Sequence, residues 1–277
     1  MPIATMLDYD FMRQAFAAGA IVAVVGGAVG YFLVQRSLAF AGHALSHVGF
    51  AGATGAVLLG LNPLWGLLGL TIAAGITMGL LGERLRGRDV AVGIVLSLAL
   101  GLGVLFLYFY TSHAAQATTI LFGNVLGVDI ATLWALAALA IVCLGALAAL
   151  SRPLLFATLA PELAEARGVS LRLVAVLFLV VVAIAVAEAA QIVGVLLVFV
   201  LLVAPAAAAQ RLTTRVRSGI ALAMGLALAE TWLGIALAYW TDWPTTFWIV
   251  VASCLVYVAS TLKRPAPAAN ITQDVAT

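Results

Sequence analysis

An all-α polytopic membrane protein, with about eight or nine transmembrane helices in a compact bundle, is the fold class that this sequence predicts. Hydrophobic residues make up 65% of its 277 residues and charged residues only 9%, whereas soluble domains carry about 25% charged residues. The few charges are grouped, which leaves uncharged runs at 37–82, 90–128, 130–151, 189–210 and 243–262. A helix needs about 20 apolar residues to cross a bilayer, and lipid offers the backbone no hydrogen-bonding partner. These runs therefore predict membrane-spanning helices.

The individual spans follow from these runs in order. The first span comes after an N-terminal segment, 1–14, whose acidic residues distinguish it from the basic start of a signal peptide. We expect a turn at Asn62-Pro63, and a half-helix or re-entrant piece at 120–128, where glycines interrupt a short apolar segment. Two helices within 173–210 are expected to divide near 188–191. The other predicted spans are 15–35, 40–60, 64–82, 91–110, 130–150, 218–240 and 247–262.

The distribution of basic residues predicts which ends of the spans face the cytoplasm. Cytoplasmic loops carry an excess of Lys and Arg. Basic loops at 36, 84–88, 152–172, 211–217 and 263–264 alternate with loops that lack Lys and Arg at 61–63, 111–129, 188–191 and 241–246. We therefore expect an extracytoplasmic segment at 1–14, a transmembrane domain at 15–262 in the plasma membrane, and a disordered cytoplasmic tail at 263–277.

Several classes of protein are excluded by what the sequence lacks. Its single lysine, Lys263, lies in the tail, so no GxxxxGK[ST] phosphate-binding loop exists. No HExxH, CxxC or nucleophile-elbow motif is present either. Cys143 and Cys254 lie in apolar runs and are expected to be small buried hydrophobes. A net charge of +2 gives no indication of nucleic-acid binding. We therefore expect neither an enzyme nor a chain with an ATPase site of its own.

The two histidines His43 and His47 are the strongest local feature. Residues four apart are neighbours on one face of a helix, so both imidazoles would point the same way. Imidazole binds zinc and other borderline metals well, and polar groups within a membrane span usually mark a function. The pair therefore predicts a metal site. The alternative is that both rings bond to nearby carbonyl groups at the end of a helix.

Three carboxylates in or beside the spans are further candidates. Asp242 precedes Trp243-Pro244 in a predicted outer loop, where it either guards an outer mouth or caps a turn. Glu188 falls at a predicted outer end and is expected to be a surface carboxylate. Glu230 lies deeper in its span and is expected to be a buried carboxylate with a Ser or Arg partner.

A short helix is predicted within the cytoplasmic connector 152–172. Pro161 suits a first helical turn, Glu162 suits the positive start of a helix, and Gly168 suits its end. Such a helix either docks a partner or links two spans.

Six segments, in order over about 11–262, resemble the ABC-3 type permeases of zinc and manganese ABC transporters. They are GHALSHVGFAG at 42–52, RDVAVGIVLSLALGLG at 88–103, LFGNVLGV at 121–128, PELAEARGV at 161–169, QIVGVLLV at 191–198 followed by APAA at 204–207, and DWP at 242–244. The family commonly has Asp where this chain has His43. Replacing an oxygen ligand by an imidazole favours zinc.

The resemblance implies the membrane subunit of an importer for a divalent metal, with zinc favoured and manganese next. Two copies would form the pore, separate ATP-binding subunits would dock below, and an extracytoplasmic metal-binding protein would deliver the ion. No permanently bound cofactor is implied. The metal pathway would use His43, His47, Ser46 and Asp242, with Glu230 and Glu188 secondary. ATPase coupling would use Pro161, Glu162, Glu165, Arg167 and Gly168.

Three other functions remain open from the sequence. A permease for an iron chelate or cobalamin would need a wide, largely neutral pathway without paired imidazoles. A proton-coupled metal carrier would transport without a partner ATPase. An intramembrane enzyme would need a nucleophile or a further strong metal ligand, and no pattern places one in the spans.

Overall fold

The computed structural model describes residues 6–82, 88–109 and 120–262. Within these ranges the chain forms ten α-helices and one 3-10 turn and contains no strand. The helices are α1 Asp10–Gln35, α2 Ala39–Leu58, α3 Pro63–Leu81, α4 Arg88–Phe109, α5 Ile130–Leu159, α6 Pro161–Ala166, α7 Leu171–Val193, α8 Val198–Leu212, α9 Val216–Thr241 and α10 Thr245–Leu262. The all-α membrane fold is thereby confirmed. Three predicted segments lie wholly or partly outside the described residues. They are the basic loop at 84–87, the outer-loop residues 111–119 and the tail 263–277.

Seven of the described helices are long and apolar enough to cross a membrane: α1, α3, α4, α5, α7, α9 and α10. Two further helices occupy predicted spans but are not long or apolar enough to be counted as membrane-crossing. Helix α8 has only 15 residues, and α2, with 20 residues, has its hydropathy lowered by two histidines and several glycines. Counting both gives nine elements among the described residues, in agreement with the approximate count of eight or nine.

Helix α1 lies at the centre of the bundle. It packs against α5, α7, α8 and α9, and most of its residues are buried. The side-chain amide of Gln210 in α8 donates a hydrogen bond to the Tyr31 carbonyl of α1 at 2.7 Å. Helix α2 packs beside this centre, between α3, α4, α7 and α8. Helix α2 therefore lies against other spans, and its His43 contacts Phe199 of α8.

Two helix boundaries differ from the prediction. Helix α5 continues through Pro153 to Leu159, so the connector expected from residue 152 begins only at Ala160. Membrane helices tolerate proline because neighbouring groups satisfy the freed backbone. The break between α7 and α8 comes at Gly194, whose φ is 81°, and not near 188–191. Only glycine readily adopts that conformation.

The two cysteines have different surroundings. Cys143 in α5 is buried, as predicted, and its thiol donates to the Val181 carbonyl of α7 at 3.6 Å. Cys254 in α10 is exposed, so the prediction that it is buried is wrong. The apolar run that contains Cys254 forms a helix with one face turned out of the protomer, and Cys254 lies on that face beside Phe199 and Tyr257 in a groove of about 220 Å³.

Candidate metal centre

Helix α2 brings the two imidazoles together as its periodicity predicts. The ring centres of His43 and His47 are 4.8 Å apart and their planes meet at 86°. Two imidazoles that share one zinc ion, at about 2.0–2.1 Å from each nitrogen, have ring centres about 5 Å apart. Both side chains are half-buried, whereas Ala44, Leu45 and Ser46 between them are fully buried. The pair thus has the spacing for one ion and an accessible side.

Phe199 is a third ring in this cluster. It lies in the first turn of α8, and its ring packs edge-on against His43 with centres 5.3 Å apart and planes at 75°. Because aromatic edge-to-face contacts restrict both rings, Phe199 limits the orientations open to His43. Phe199 is not among the residues predicted from the sequence, since one phenylalanine in an apolar run carries no signal of its own.

The segment before Phe199 is held by contact between two glycines. Gly123 has a φ of 78° and Gly194 a φ of 81°, and a Cβ atom on either would collide with the backbone of the other segment. The Val195 N–H donates to the Ile120 carbonyl, and the Leu196 N–H to the Leu121 carbonyl, at 3.3 Å each. The sequence signal was the glycine inside each of the LFGN and QIVGVLLV segments. Residues 120–128 are irregular as expected: 120–122 are helical and Val125–Gly127 is a 3-10 turn.

Ser46 and Asp242 form hydrogen bonds with backbone carbonyl groups and not with the two imidazole rings. The Ser46 hydroxyl is buried and donates to the His43 carbonyl at 2.7 Å, a bond within the helix backbone. Asp242 is exposed and ends α9 in a left-handed conformation, with its N–H bonded to the Ala238 carbonyl at 2.9 Å. Among the residues that the structure describes, no group of three His, Cys, Asp or Glu side chains could hold a metal. The two histidines therefore form an open, incomplete ligand set.

Glu230 is a buried carboxylate with a serine partner, as predicted. Its side chain in α9 is 2% exposed, and the Ser253 hydroxyl of α10 donates to Glu230 Oε2 at 2.6 Å. The bond joins α9 to α10, which also pack along their length. Glu230 is therefore part of the contact between these two helices.

Glu188 is not the surface carboxylate that was predicted. Because α7 continues to Val193, Glu188 lies inside the helix instead of at its end, and its side chain is 0% exposed. Neither carboxylate oxygen has a hydrogen-bond partner among the described residues. The helix break lies at Gly194, later than the predicted division near 188–191, and Glu188 is therefore within α7.

The short helix α6 has the start and end that the sequence predicts. Pro161 occupies its first turn, Glu162 follows, and Gly168 has a φ of 80° just beyond its end. Only Ala164 is buried. Glu162, Glu165 and Arg167 are exposed, as is Leu163 at 53%. The helix thus presents charged and apolar side chains on one accessible surface, and its role in coupling stays a prediction.

Comparison with known proteins gives a consistent result over nearly the whole chain. Residues 8–264 match the model of the ABC 3 transport family. The chain is 27% identical to the manganese transport system membrane protein MntC of Listeria monocytogenes, over 94% of this chain and 93% of the relative. It is 26% identical to the high-affinity zinc uptake system membrane protein ZnuB of Haemophilus influenzae, over 92% and 98%. A chain in the structure of PsaBC from Streptococcus pneumoniae in complex with Fab superposes with a TM-score of 0.84 at 26% identity, over 95% and 97%.

Proposed function

Since this chain belongs to the ABC 3 transport family and is a multi-pass protein of the plasma membrane, we propose that it conducts zinc into the cytoplasm, with manganese as a second substrate. Its family comprises the membrane permeases of manganese and zinc ABC importers, which are transport subunits. Relatives named for each metal align over almost their full lengths. The choice between the two ions therefore depends on the residues of this chain.

The single observation that carries the proposal is the pair of imidazoles on α2, with ring centres 4.8 Å apart. Two nitrogen ligands suit zinc better than manganese, which prefers oxygen. The open ligand set also suits transport, because a site that binds too tightly does not release its ion. Water, Ser46 or Asp242 would complete the coordination as the ion passes, and Glu230 and Glu188 would be secondary sites. The metal is cargo, and the permease needs no permanently bound cofactor.

The energy for transport would come from partner subunits. Permeases of ABC transporters work with ATP-binding subunits and a substrate-binding protein, and this chain has no phosphate-binding loop. We propose that two copies of the chain form the pore and that the ATPase docks on α6. Exposure of Glu162, Glu165 and Arg167 supports this contact.

The experiment is zinc uptake into vesicles that contain the assembled importer. The double variant His43→Ala, His47→Ala should lose most uptake while the chain still inserts, and His113→Ala, the third histidine, is the matched control. His43→Asp should keep uptake and shift the preference toward manganese, because it restores an oxygen ligand. Zinc uptake by the double variant at the wild-type rate would mean that the pair is structural.

Two further uptake measurements distinguish the proposed function from the other candidate functions. Uptake of an iron chelate or cobalamin in preference to free zinc would identify a chelate permease. Zinc uptake by the chain alone, driven by a proton gradient without the ATPase, would identify a proton-coupled carrier.

A further inference from the structure

A second group of polar atoms lies inside the bundle, apart from the imidazole pair. Glu188 Oε1, Glu188 Oε2 and Gln191 Oε1 are all buried and have no hydrogen-bond partner among the described residues. Glu188 and Gln191 are three residues apart on α7, so their side chains are neighbours on one face of the helix. Three buried acceptor oxygens on this face of α7 therefore have no donor bonded to them among the described residues.

The end of α7 adds further acceptors. In a continuing helix, the N–H groups of Val195 and Leu196 would donate to the carbonyls of Gln191 and Ile192. Here those N–H groups donate to Ile120 and Leu121 instead, at 3.3 Å each. No backbone N–H of a described residue bonds to the Gln191 or Ile192 carbonyl. The C-terminal end of a helix carries a negative partial charge and favours cations.

The side chain of Glu188 forms neither a hydrogen bond nor a salt bridge with a described residue. Glu188 lies two turns beyond Val181 on the same face of α7, and the Val181 carbonyl accepts the Cys143 thiol of α5. On α5, the titratable neighbour of Glu188 is Cys143. Helix α3 also packs on α7 and has no ionisable side chain. The salt bridge between Arg13 and Asp10 lies at the start of α1.

A carboxylate in this position is costly unless it is neutralised. Burying an unpaired charge away from water is strongly unfavourable, so the group must hold either a proton or a cation. A proton would supply one donor for three side-chain acceptors. A cation would contact all three at once, and the two carbonyls at the end of α7 would add to the attraction.

We propose that Glu188 and Gln191 form an oxygen-lined site for a small hard cation of the manganese type, separate from His43 and His47. Carboxylate and amide oxygens suit manganese and magnesium, whereas the imidazole pair suits zinc. The site lies where α7 ends, three residues before the segment that leads to Phe199. It therefore deepens the proposed function, on which it rests, by assigning manganese a site of its own.

The test is manganese binding, measured by electron paramagnetic resonance on the full chain with its ATPase subunit in lipid nanodiscs. The chain carries His43→Ala and His47→Ala, so that the imidazoles make no contribution. In this background we expect manganese to bind, and we expect Glu188→Gln, which keeps the size of the side chain, to weaken binding at least tenfold. Gln191→Leu should weaken it by a similar factor, and Asp10→Asn, at an exposed carboxylate, should leave it unchanged.

Two outcomes would overturn the site. Manganese binding that is equal with and without Glu188→Gln would show that the carboxylate does not bind the cation. A protonated-carboxyl infrared band that is lost in Glu188→Gln and insensitive to manganese would show that the group holds a proton instead. Because the measurement is made without the histidines, it does not depend on whether they conduct zinc.

Discussion

Phe199 packs edge-on against His43, with ring centres 5.3 Å apart. The contact joins the first turn of α8 to the helix that carries the imidazole pair. Because Phe199 follows closely after Gly194, the break between α7 and α8 also fixes the position of this ring. The orientation of one proposed metal ligand therefore depends on a backbone contact between two glycines elsewhere in the chain.

Replacing Phe199 tests this dependence. Phe199→Ala removes an edge-to-face contact of about 0.5–1.5 kcal/mol, so the KM for zinc uptake should rise about 2- to 10-fold. Phe199→Tyr keeps the ring and should restore the KM, and Phe40→Ala, at an exposed phenylalanine of the same α2, is the control. A KM that stays the same in Phe199→Ala would mean that His43 needs no such support.

Replacing Gly194 tests the helix break. At φ 81° and ψ 154° an alanine is strained by about 1–3 kcal/mol, and its Cβ would also collide with the backbone of 121–123. We expect Gly194→Ala to lower the thermal unfolding temperature in detergent. Gly225→Ala is the matched control in α9, where a Cβ meets open space and alanine should stabilise the helix by about 0.5–1 kcal/mol. Equal unfolding temperatures for the two variants would contradict this account.

Zinc uptake should fall at acidic external pH, because the proposed ligands are imidazoles. Only neutral imidazole binds a metal, so protonation removes the ligands and uptake recovers as the pH rises. Asp129, the residue that caps the start of α5, should not contribute to this pH dependence. A hydrogen bond with Thr132 lowers the pKa of Asp129, so its carboxylate stays ionised from pH 5 to 8. The measurement is the rate of zinc uptake from pH 5 to 8, and a flat profile would argue against imidazole ligands.

Charge reversal on α6 tests the coupling surface. Glu162→Lys together with Glu165→Lys should reduce zinc uptake strongly, because both exposed carboxylates belong to the surface proposed to bind the ATPase. Asp8→Lys with Asp10→Lys, the same change in charge before and at the start of α1, is the control for insertion. Uptake and ATPase binding are measured on the same membranes. Wild-type uptake by the α6 variant, with the ATPase bound, would remove α6 from the coupling step.

Much of the fold and part of the candidate site were determined by the sequence itself, because they depend on local physics. Long uncharged runs gave the helical membrane fold and most span boundaries. Helical periodicity placed His43 and His47 on one face, and Pro161 and Gly168 marked the start and end of α6. In each case the residues that decide the structure are within a few positions of one another.

Other features were decided by contacts between distant segments. Whether α5 continues through Pro153 depends on the helices around it, and the burial of Glu188 depends on α7 extending to the break at Gly194. That break needs the backbone of 120–123 against it, and the same contact positions Phe199 on His43. Residues so far apart in sequence carry no joint periodicity or spacing, so only the packed tertiary structure could bring them together.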